Sequence, residues 1–420
     1  MNKILTVMLA GGAGERLFPL TKDVAKPAVP FGGVYRIIDI TLSNSINSGL
    51  RRIYILTQDK ALSLNRHIRQ AWNVVSSSLG EFIEFLPPTK RVGEEWYLGT
   101  ADAVFQNAQS IEVEDLPYTL ILSADHVYKM DYRHLLDCHL ERGADVTLAT
   151  TQIPPSEASR FGIVEVDESS RVRGFEEKPG GADAPRSRFN PEMCSASMGV
   201  YLFSTQVLLD ALMEDHSEEG SSHDFGGDIL PRLVRRGRGV YAYDFGNEVA
   251  QGGEERPYWR DIGTLDAYYD ANMDLVSVTP VFNLYDEEWP IRTYQPQYPP
   301  AKFSFAEEGR RMGVSINSMI CSGSIVSGGR VVNSILSPGV RVHSYSEVES
   351  AILFHNASVG RHSRIRRAIV DQDLTLPDGF EIGFDIEADR AKGHYVTESE
   401  IIVVHAGSPG VAIARKPRLR

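Results

Sequence analysis

Beyond Arg311, apolar side chains return about every six residues: Val342, Val348 and Phe354, then Val359 and Ile365, then Leu376 and Ile382. Small and polar residues fill the intervals, with Gly or Asn at the corners. This pattern suits a parallel β-helix of hexapeptide turns, each stacking its apolar face on the turn before. The count slips twice, and an irregular antiparallel sandwich is the alternative that short β segments with turn residues also allow.

The first 150 residues follow another rule. Apolar runs at 4–9, 52–57 and 119–122 read as buried strands, and residues 62–72, 101–111 and 132–141 read as amphipathic helices packed on them. Alternation of this kind implies βαβ units and a parallel, wound sheet. Strands at 162–166 and 198–203 and helices near 206–213 and 265–276 continue the series. Between 279 and 303, Pro280, Pro290, Pro296, Pro299 and Pro300 crowd an aromatic stretch, which reads as a linker because proline interrupts helices and central strands. Trp289, Tyr294 and Tyr298 should pack against neighbours there. At 420 residues, two domains are expected. We place a catalytic domain at 1–278, a linker at 279–307 and a β-helix domain at 308–420.

Composition narrows the class. A formal charge of −13 argues against a nucleic-acid or anionic-membrane surface, though a few cations gathered in one cleft still serve anionic small substrates. Cys138, Cys194 and Cys321 are odd in number and far apart, so neither a disulfide framework nor a CxxC metal pattern is expected, and a reducing cytoplasm is. Lys3 and the apolar run after it mimic a short signal peptide, but the run passes directly into a glycine-rich charged turn and reads as a strand. No stretch approaches the length of a membrane span.

The chemistry begins at LAGGAGERL, residues 9–17. Gly11, Gly12 and Gly14, directly after a buried strand, let backbone approach a phosphate chain or base closely. The Lys-Ser/Thr pair of a Walker loop and the third glycine of a dinucleotide fingerprint are missing. Arg16 and Lys26 supply cations on either side, as a leaving pyrophosphate requires. Asp125, in LILSADHVY, stands at the C-terminal end of a buried strand, where clefts open in wound sheets. Asp261, in YWRDIGT, is either a helix cap or a partner to it. Together the two offer hard oxygen ligands for Mg²⁺ beside substrate phosphates. A sugar phosphate has its second pKa near ~6 and is largely a dianion at neutral pH, so no general base is needed and neither aspartate is assigned to proton transfer. Glu177 and Lys178, in FEEKP, pair a grip for sugar hydroxyls with a cation for phosphate, or form a solvated charge cluster. Tyr97 precedes Gly99 and a helix opened by Thr100, another phosphate or base site. Ser197 and Asp224 are further hydroxyl partners, whereas His126 and His223 lack metal-ligand spacing and read as structural hydrogen bonders.

These strings, with RIIDITLSN, WYLGTADAV, ASMGVYLF, SSHDFGGDILP and WPIRTYQPQYPPAKF, run in one order from Leu9 to Phe303. In this the chain resembles the bacterial glucose-1-phosphate adenylyltransferases, or ADP-glucose pyrophosphorylases, of glycogen biosynthesis. The resemblance implies a wound α/β sheet of the nucleotide-diphospho-sugar transferase type, followed by a left-handed parallel β-helix. It implies ATP and α-D-glucose 1-phosphate as substrates, Mg²⁺, metabolite effectors and a homotetramer. It places Leu9, Ala10, Gly11, Gly12, Gly14, Gly99 and Thr100 around ATP, with Arg16 and Lys26 on its phosphates. Tyr97, Gly162, Glu177, Lys178 and Ser197 would bind glucose 1-phosphate, Asp224 a sugar hydroxyl, and Asp125 and Asp261 the metal.

Three positions depart from the resemblance. Ala13 stands where relatives often carry arginine or glutamine, Lys90 where many carry a glutamine that can read adenine, and Asp23 where part of the family has a lysine for a phosphorylated activator. Lys22 or Arg418 could substitute for that lysine. Rival readings are a nucleotidylyltransferase using another nucleoside triphosphate and a non-catalytic subunit of the same fold. A third is a hexapeptide acyltransferase, for which His343, His355 and His362 are the candidate bases.

Overall fold

The computed structural model describes residues 1–11, 14–58, 60–87, 97–180, 184–247, 257–307 and 311–413. Gly12, Ala13, Lys90 and Arg418 lie outside them. In chain order the elements that matter here are β1 (Ile4–Leu9), α1 (Ile37–Asn47), β2 (Arg52–Leu56), α2 (Ala61–Ala71) and β3 (Phe82–Leu86). Then come α3 (Thr100–Phe105), α4 (Ala108–Glu114), β4 (Tyr118–Ser123), α5 (Tyr132–Glu141), β5 (Val146–Ile153), β6 (Gly162–Val166) and β7 (Val172–Glu177). β8 (Cys194–Ser204), α6 (Thr205–His216), α7 (Leu230–Arg235), β9 (Val240–Asp244) and α8 (Leu265–Asp274) complete the set.

Nine strands form one sheet in the order β7-β6-β8-β4-β1-β2-β3, with β5 on β8 and β9 beyond it. The run β4-β1-β2-β3 is parallel, as the apolar runs predict, and β9 is parallel to β5. β8 lies antiparallel to β4 and β5. Its register with β5 shifts between Ser197 and Tyr201, where Gly199 adopts φ 69°. Leu5, Val7, Ile121, Leu148 and Phe203 are buried in the core of this sheet.

The expected helix over 101–111 is two helices. Asn107, between them, turns its amide onto the Ala103 carbonyl (2.8 Å) and the Tyr97 hydroxyl (3.1 Å), displacing the backbone donor that would continue the ladder. Trp289 does find a partner, donating to Asn44 Oδ1 at 2.9 Å, and Tyr298 packs under Gly323. Tyr294 does not follow the expectation and is 41% exposed.

In the tail, parallel strands stack coil on coil, and every apolar residue of the six-residue series is buried. Val342, Val359 and Leu376 stand directly over one another. The coil is therefore about seventeen residues, one short of three hexapeptides, which is why the count slips once per turn. Corners stack in columns of left-handed backbone, such as Gly323, Gly339, Asn356 and Asp373. Asn356 and Asp373 tolerate that conformation because short polar side chains bond locally, here to each other at 2.9 Å.

By contact the chain divides into two compact units: residues 1–12, 40–259 and 287–291 in one, and 13–39, 260–286 and 292–420 in the other. The second unit thus joins the turn after β1 and the helix α8 to the β-helix. Tyr269 donates its hydroxyl to the Ser350 carbonyl (2.6 Å), and Thr397 to Asp266 (2.5 Å). Phe18 meets Tyr395 edge to face, as Tyr268 meets Phe354. Gly33 lies so close to Cys321 that a side-chain carbon there would stand 2.7 Å from its sulfur. The three cysteines are unbridged, and no helix of the described residues is long and apolar enough to cross a membrane.

Candidate active site

In the first unit the site starts where the parallel strands end. Leu9 closes β1, Ala10 donates its N–H to the Leu56 carbonyl at 2.9 Å, and Gly11 runs beside Gln58. Asp125 follows β4, its carboxylate fixed by the Ser123 hydroxyl at 2.5 Å and approached by His126 Nε2 at 3.5 Å. The His126 ring sits 5.1 Å from Trp259.

A second cluster forms around Glu177, the last residue of β7. Its Oε1 takes the Lys178 ammonium at 2.6 Å. Its Oε2 lies against two glycines: an added carbon would come within 2.8 Å at Gly162 and 2.5 Å at Gly226. Either side chain would push the carboxylate away. Asp224 accepts from the Gly226 and Gly227 amides (2.8 and 3.0 Å) and from the Thr100 hydroxyl (2.8 Å). Thr100 also receives the Phe225 N–H at 3.1 Å. Ser197 shares a hydrogen bond with the Tyr201 hydroxyl at 3.1 Å. Burial raises the Tyr201 pKa, with Asp224 and Glu177 adding to the effect, so the phenol stays neutral among these carboxylates. Tyr97, its pKa likewise raised by burial, is held by Asn107. The cluster thus gathers Gly162, Glu177, Lys178, Thr100 and Asp224, with Ser197 joined through Tyr201. Tyr201 and Gly226 are the members that motif reading missed; Tyr201 looks like one more apolar residue of a buried strand.

Gly99 and Thr100 are engaged locally. The Ala101 and Asp102 amides already donate to the His223 carbonyl (2.8 and 3.3 Å), so the start of α3 is capped by protein.

In the second unit Gly14 adopts φ 62° and turns the chain so that Thr21 Oγ1 reaches its carbonyl at 2.8 Å. Lys26 is buried, its ammonium 3.6 Å from Asp261 Oδ1. Asp261 is not the cap of α8; Thr264 fills that place, accepting from Ala267 N at 3.2 Å. Arg16 and Asp261 both flank Gly263, each 2.9 Å from where a side-chain carbon would stand. Two cations and one carboxylate therefore share this unit's polar centre. Among the described residues no group of three or more His, Cys, Asp or Glu forms a ready-made metal cage. Asp125 in the first unit and Asp261 in the second are each hard oxygen donors of the kind Mg²⁺ takes.

Of the tail histidines, His343 Nε2 lies 3.5 Å from the Ser358 hydroxyl. His355 is pushed down to about 4 by burial and the Arg36 guanidinium, and His362 stacks on Tyr345 at 4.8 Å.

A wound sheet whose parallel strands end beside Leu9 and Asp125, a cluster of carboxylates, hydroxyls and one ammonium around Glu177, and a tail of hexapeptide coils match what the comparisons find. Residues 5–278 match the nucleotidyl transferase family, and residues 299–404 match the GlmU-like C-terminal hexapeptide family. The glucose-1-phosphate adenylyltransferase of Koribacter versatilis is 60% identical over 96% of this chain and 95% of its own length. Those of Rhodopirellula baltica and an Anaeromyxobacter species are 49% and 48% identical, over 97% and 96% of this chain and 91% and 98% of their own. The chain belongs to the glucose-1-phosphate adenylyltransferase family of nucleotidyl transferases.

Proposed function

We propose that this protein transfers the adenylyl group of ATP to α-D-glucose 1-phosphate, giving ADP-glucose and pyrophosphate for glycogen synthesis. The observation that carries this reading is the Glu177–Lys178–Asp224–Thr100 cluster, which sets carboxylates for sugar hydroxyls beside one ammonium for a phosphate. A phosphate oxygen of the sugar attacks the α-phosphorus, and the bond from that phosphorus to the oxygen bridging it to the β-phosphate breaks. The nucleophile is already an anion, so the protein's work is positioning and charge stabilisation. Lys178 meets the sugar phosphate, with Glu177, Asp224, Ser197, Tyr97 and the Gly162 backbone on the sugar. Leu9, Ala10, Gly11, Gly12, Gly14, Gly99 and Thr100 surround ATP. Arg16 and Lys26 neutralise the departing pyrophosphate. Asp125 and Asp261 would hold Mg²⁺, which supplies Lewis-acid stabilisation of phosphate charge when bound.

The boundaries 1–278, 279–307 and 308–420, a homotetramer, a cytoplasmic setting and control by metabolites belong to the same proposal. Asp23 bears on the control. It adds, with Asp373 and after burial, to the forces that push Asp371 up to about 6. A doubly phosphorylated sugar would meet carboxylates there, so activation by a less charged metabolite is expected. Incubating the purified protein with each nucleoside triphosphate plus glucose 1-phosphate, and measuring pyrophosphate, tests the reaction. ATP should be used in strong preference. Preference for UTP or dTTP would move the protein to another nucleotidylyltransferase activity.

A further inference from the structure

Asp215 lies near the C-terminus of α6, where the helix dipole disfavours an anion, yet its carboxylate is buried. A buried charge persists only when donors surround it. Oδ2 accepts from His223 Nδ1 at 2.8 Å, and Oδ1 from the Ser221 hydroxyl at 2.8 Å and Arg232 Nη2 at 3.1 Å. A carboxylate only accepts, so the His223 tautomer has its proton on Nδ1. The Ser221 oxygen in turn receives the His223 N–H at 3.0 Å. Asp215 therefore grips His223 twice, by the ring and, through Ser221, by the backbone.

The grip holds an unfavourable conformation. His223 has φ 53°, which costs a non-glycine residue roughly 1 kcal/mol. That left-handed step turns the His223 carbonyl onto the Ala101 and Asp102 amides. It also delivers the next residue, Asp224, to Thr100, Gly226 and Gly227. The His223 ring is backed by His216, which stacks on Phe105 of α3 at 4.1 Å. A merely stable loop would be met more simply by glycine at 223.

We propose that Asp215 and His223 are positioning residues of the sugar site, holding residues 221–225 in the turn that presents Asp224. This rests on the reading that Asp224 binds a sugar hydroxyl. Four single variants test it: His223→Ala, His223→Asn, Ser221→Ala and Asp224→Ala, each with KM for glucose 1-phosphate, KM for ATP, kcat and thermal midpoint. His223→Ala should raise KM for glucose 1-phosphate about tenfold, equal to about 1.4 kcal/mol, with KM for ATP unchanged. Asn tolerates left-handed backbone and carries an amide N–H where Nδ1–H stood, so His223→Asn should restore KM to within about threefold. Ser221→Ala, the mildest change, should raise the same KM severalfold and decides the matter if His223→Ala does not fold. The proposal is overturned if His223→Ala or Ser221→Ala lowers only the thermal midpoint, if both KM values move together, or if His223→Asn is no better than His223→Ala. Should Asp224→Ala itself leave KM for glucose 1-phosphate unchanged, the sugar-site reading falls, and the positioning role with it. An effect at Asp224 without one at His223 removes the positioning role alone.

Discussion

Replacing Gly226 by alanine should separate affinity for the sugar phosphate from stability of the fold. The new carbon would stand 2.5 Å from Glu177 Oε2 and 3.3 Å from Asp224 Oδ1. Ordinary contact begins near 3.4 Å, so the Glu177 oxygen must retreat by about 0.9 Å, enough to break a hydrogen bond to a sugar hydroxyl. A hydrogen bond to a charged group is worth about 1.5–3 kcal/mol, so losing the one from Glu177 to a hydroxyl should raise KM for glucose 1-phosphate roughly 10- to 150-fold. The contact is made before and during reaction, so kcat should change little. Stability follows another course, because the crowded atom is the end of a flexible side chain and Gly226 does not adopt a positive φ. Alanine there restricts the unfolded chain, a gain of about 0.4–1 kcal/mol that offsets the crowding. The assay is steady-state pyrophosphate release with glucose 1-phosphate and ATP varied in turn, beside thermal unfolding. A folded Gly226→Ala protein whose KM for glucose 1-phosphate stays within about twofold of the parent would refute the reasoning.

Asp125→Asn should abolish most turnover while Asp125→Glu retains a trace, with no new limb in the pH–rate profile; near-parental rates for the Asn variant would remove Asp125 from the metal site. Lys178→Gln should weaken glucose 1-phosphate strongly and ATP little, and a large fall in kcat at unchanged KM would contradict that role. Asp371, pushed up to about 6 by burial and then Asp23 and Asp373, keeps a proton in the folded state that the unfolded chain releases near 3.8. Stability should therefore fall as pH rises from about 4 to 6, by at most about 3 kcal/mol. Asp371→Asn should then melt higher than the parent at pH 7.5, by roughly half as much at pH 5, and level with it only below about pH 4; equal midpoints at pH 7.5 and at pH 4 would sink the assignment. Initial rates at subsaturating ATP should respond weakly to fructose 1,6-bisphosphate, and strong activation at micromolar effector would show that Asp23 does not govern that response.

The parallel half of the sheet was readable because β1, β2 and β4 are buried on both faces and appear as continuous apolar runs. Helix α1 was not, for the opposite reason. Its Thr41, Ser43, Asn44 and Ser45 are buried but polar, engaged with partners such as the Ser123 and Tyr128 carbonyls, so hydrophobic periodicity is absent. The β-helix announced itself by its apolar columns and by the Gly and Asn of the corners at 323, 339 and 356, while the corners at Ser350, His362 and Arg367 gave no such sign, since these adopt left-handed backbone without being glycine or asparagine. Within the site, Lys26 and Asp261 were chosen by charge type, and the second unit brings them within 3.6 Å. Asp215 was invisible: an aspartate on a helix reads as solvated surface until its three donors are seen around it.

The grouping of residues 13–39 and 260–286 with the β-helix has a consequence for anyone who would trim the chain. A truncated chain ending at residue 278, where the nucleotidyl transferase match stops, would retain every residue of that match. It would nevertheless strip Tyr269 and Asp266 of their acceptor and donor at Ser350 and Thr397, and leave Phe18 and Gly33 without Tyr395 and Cys321. The segments so exposed carry Arg16, Lys26 and Asp261. If Arg16 and Lys26 meet the triphosphate as proposed, such a fragment should lose ATP before it loses glucose 1-phosphate, and the tail is then the brace of the segments that carry these two cations.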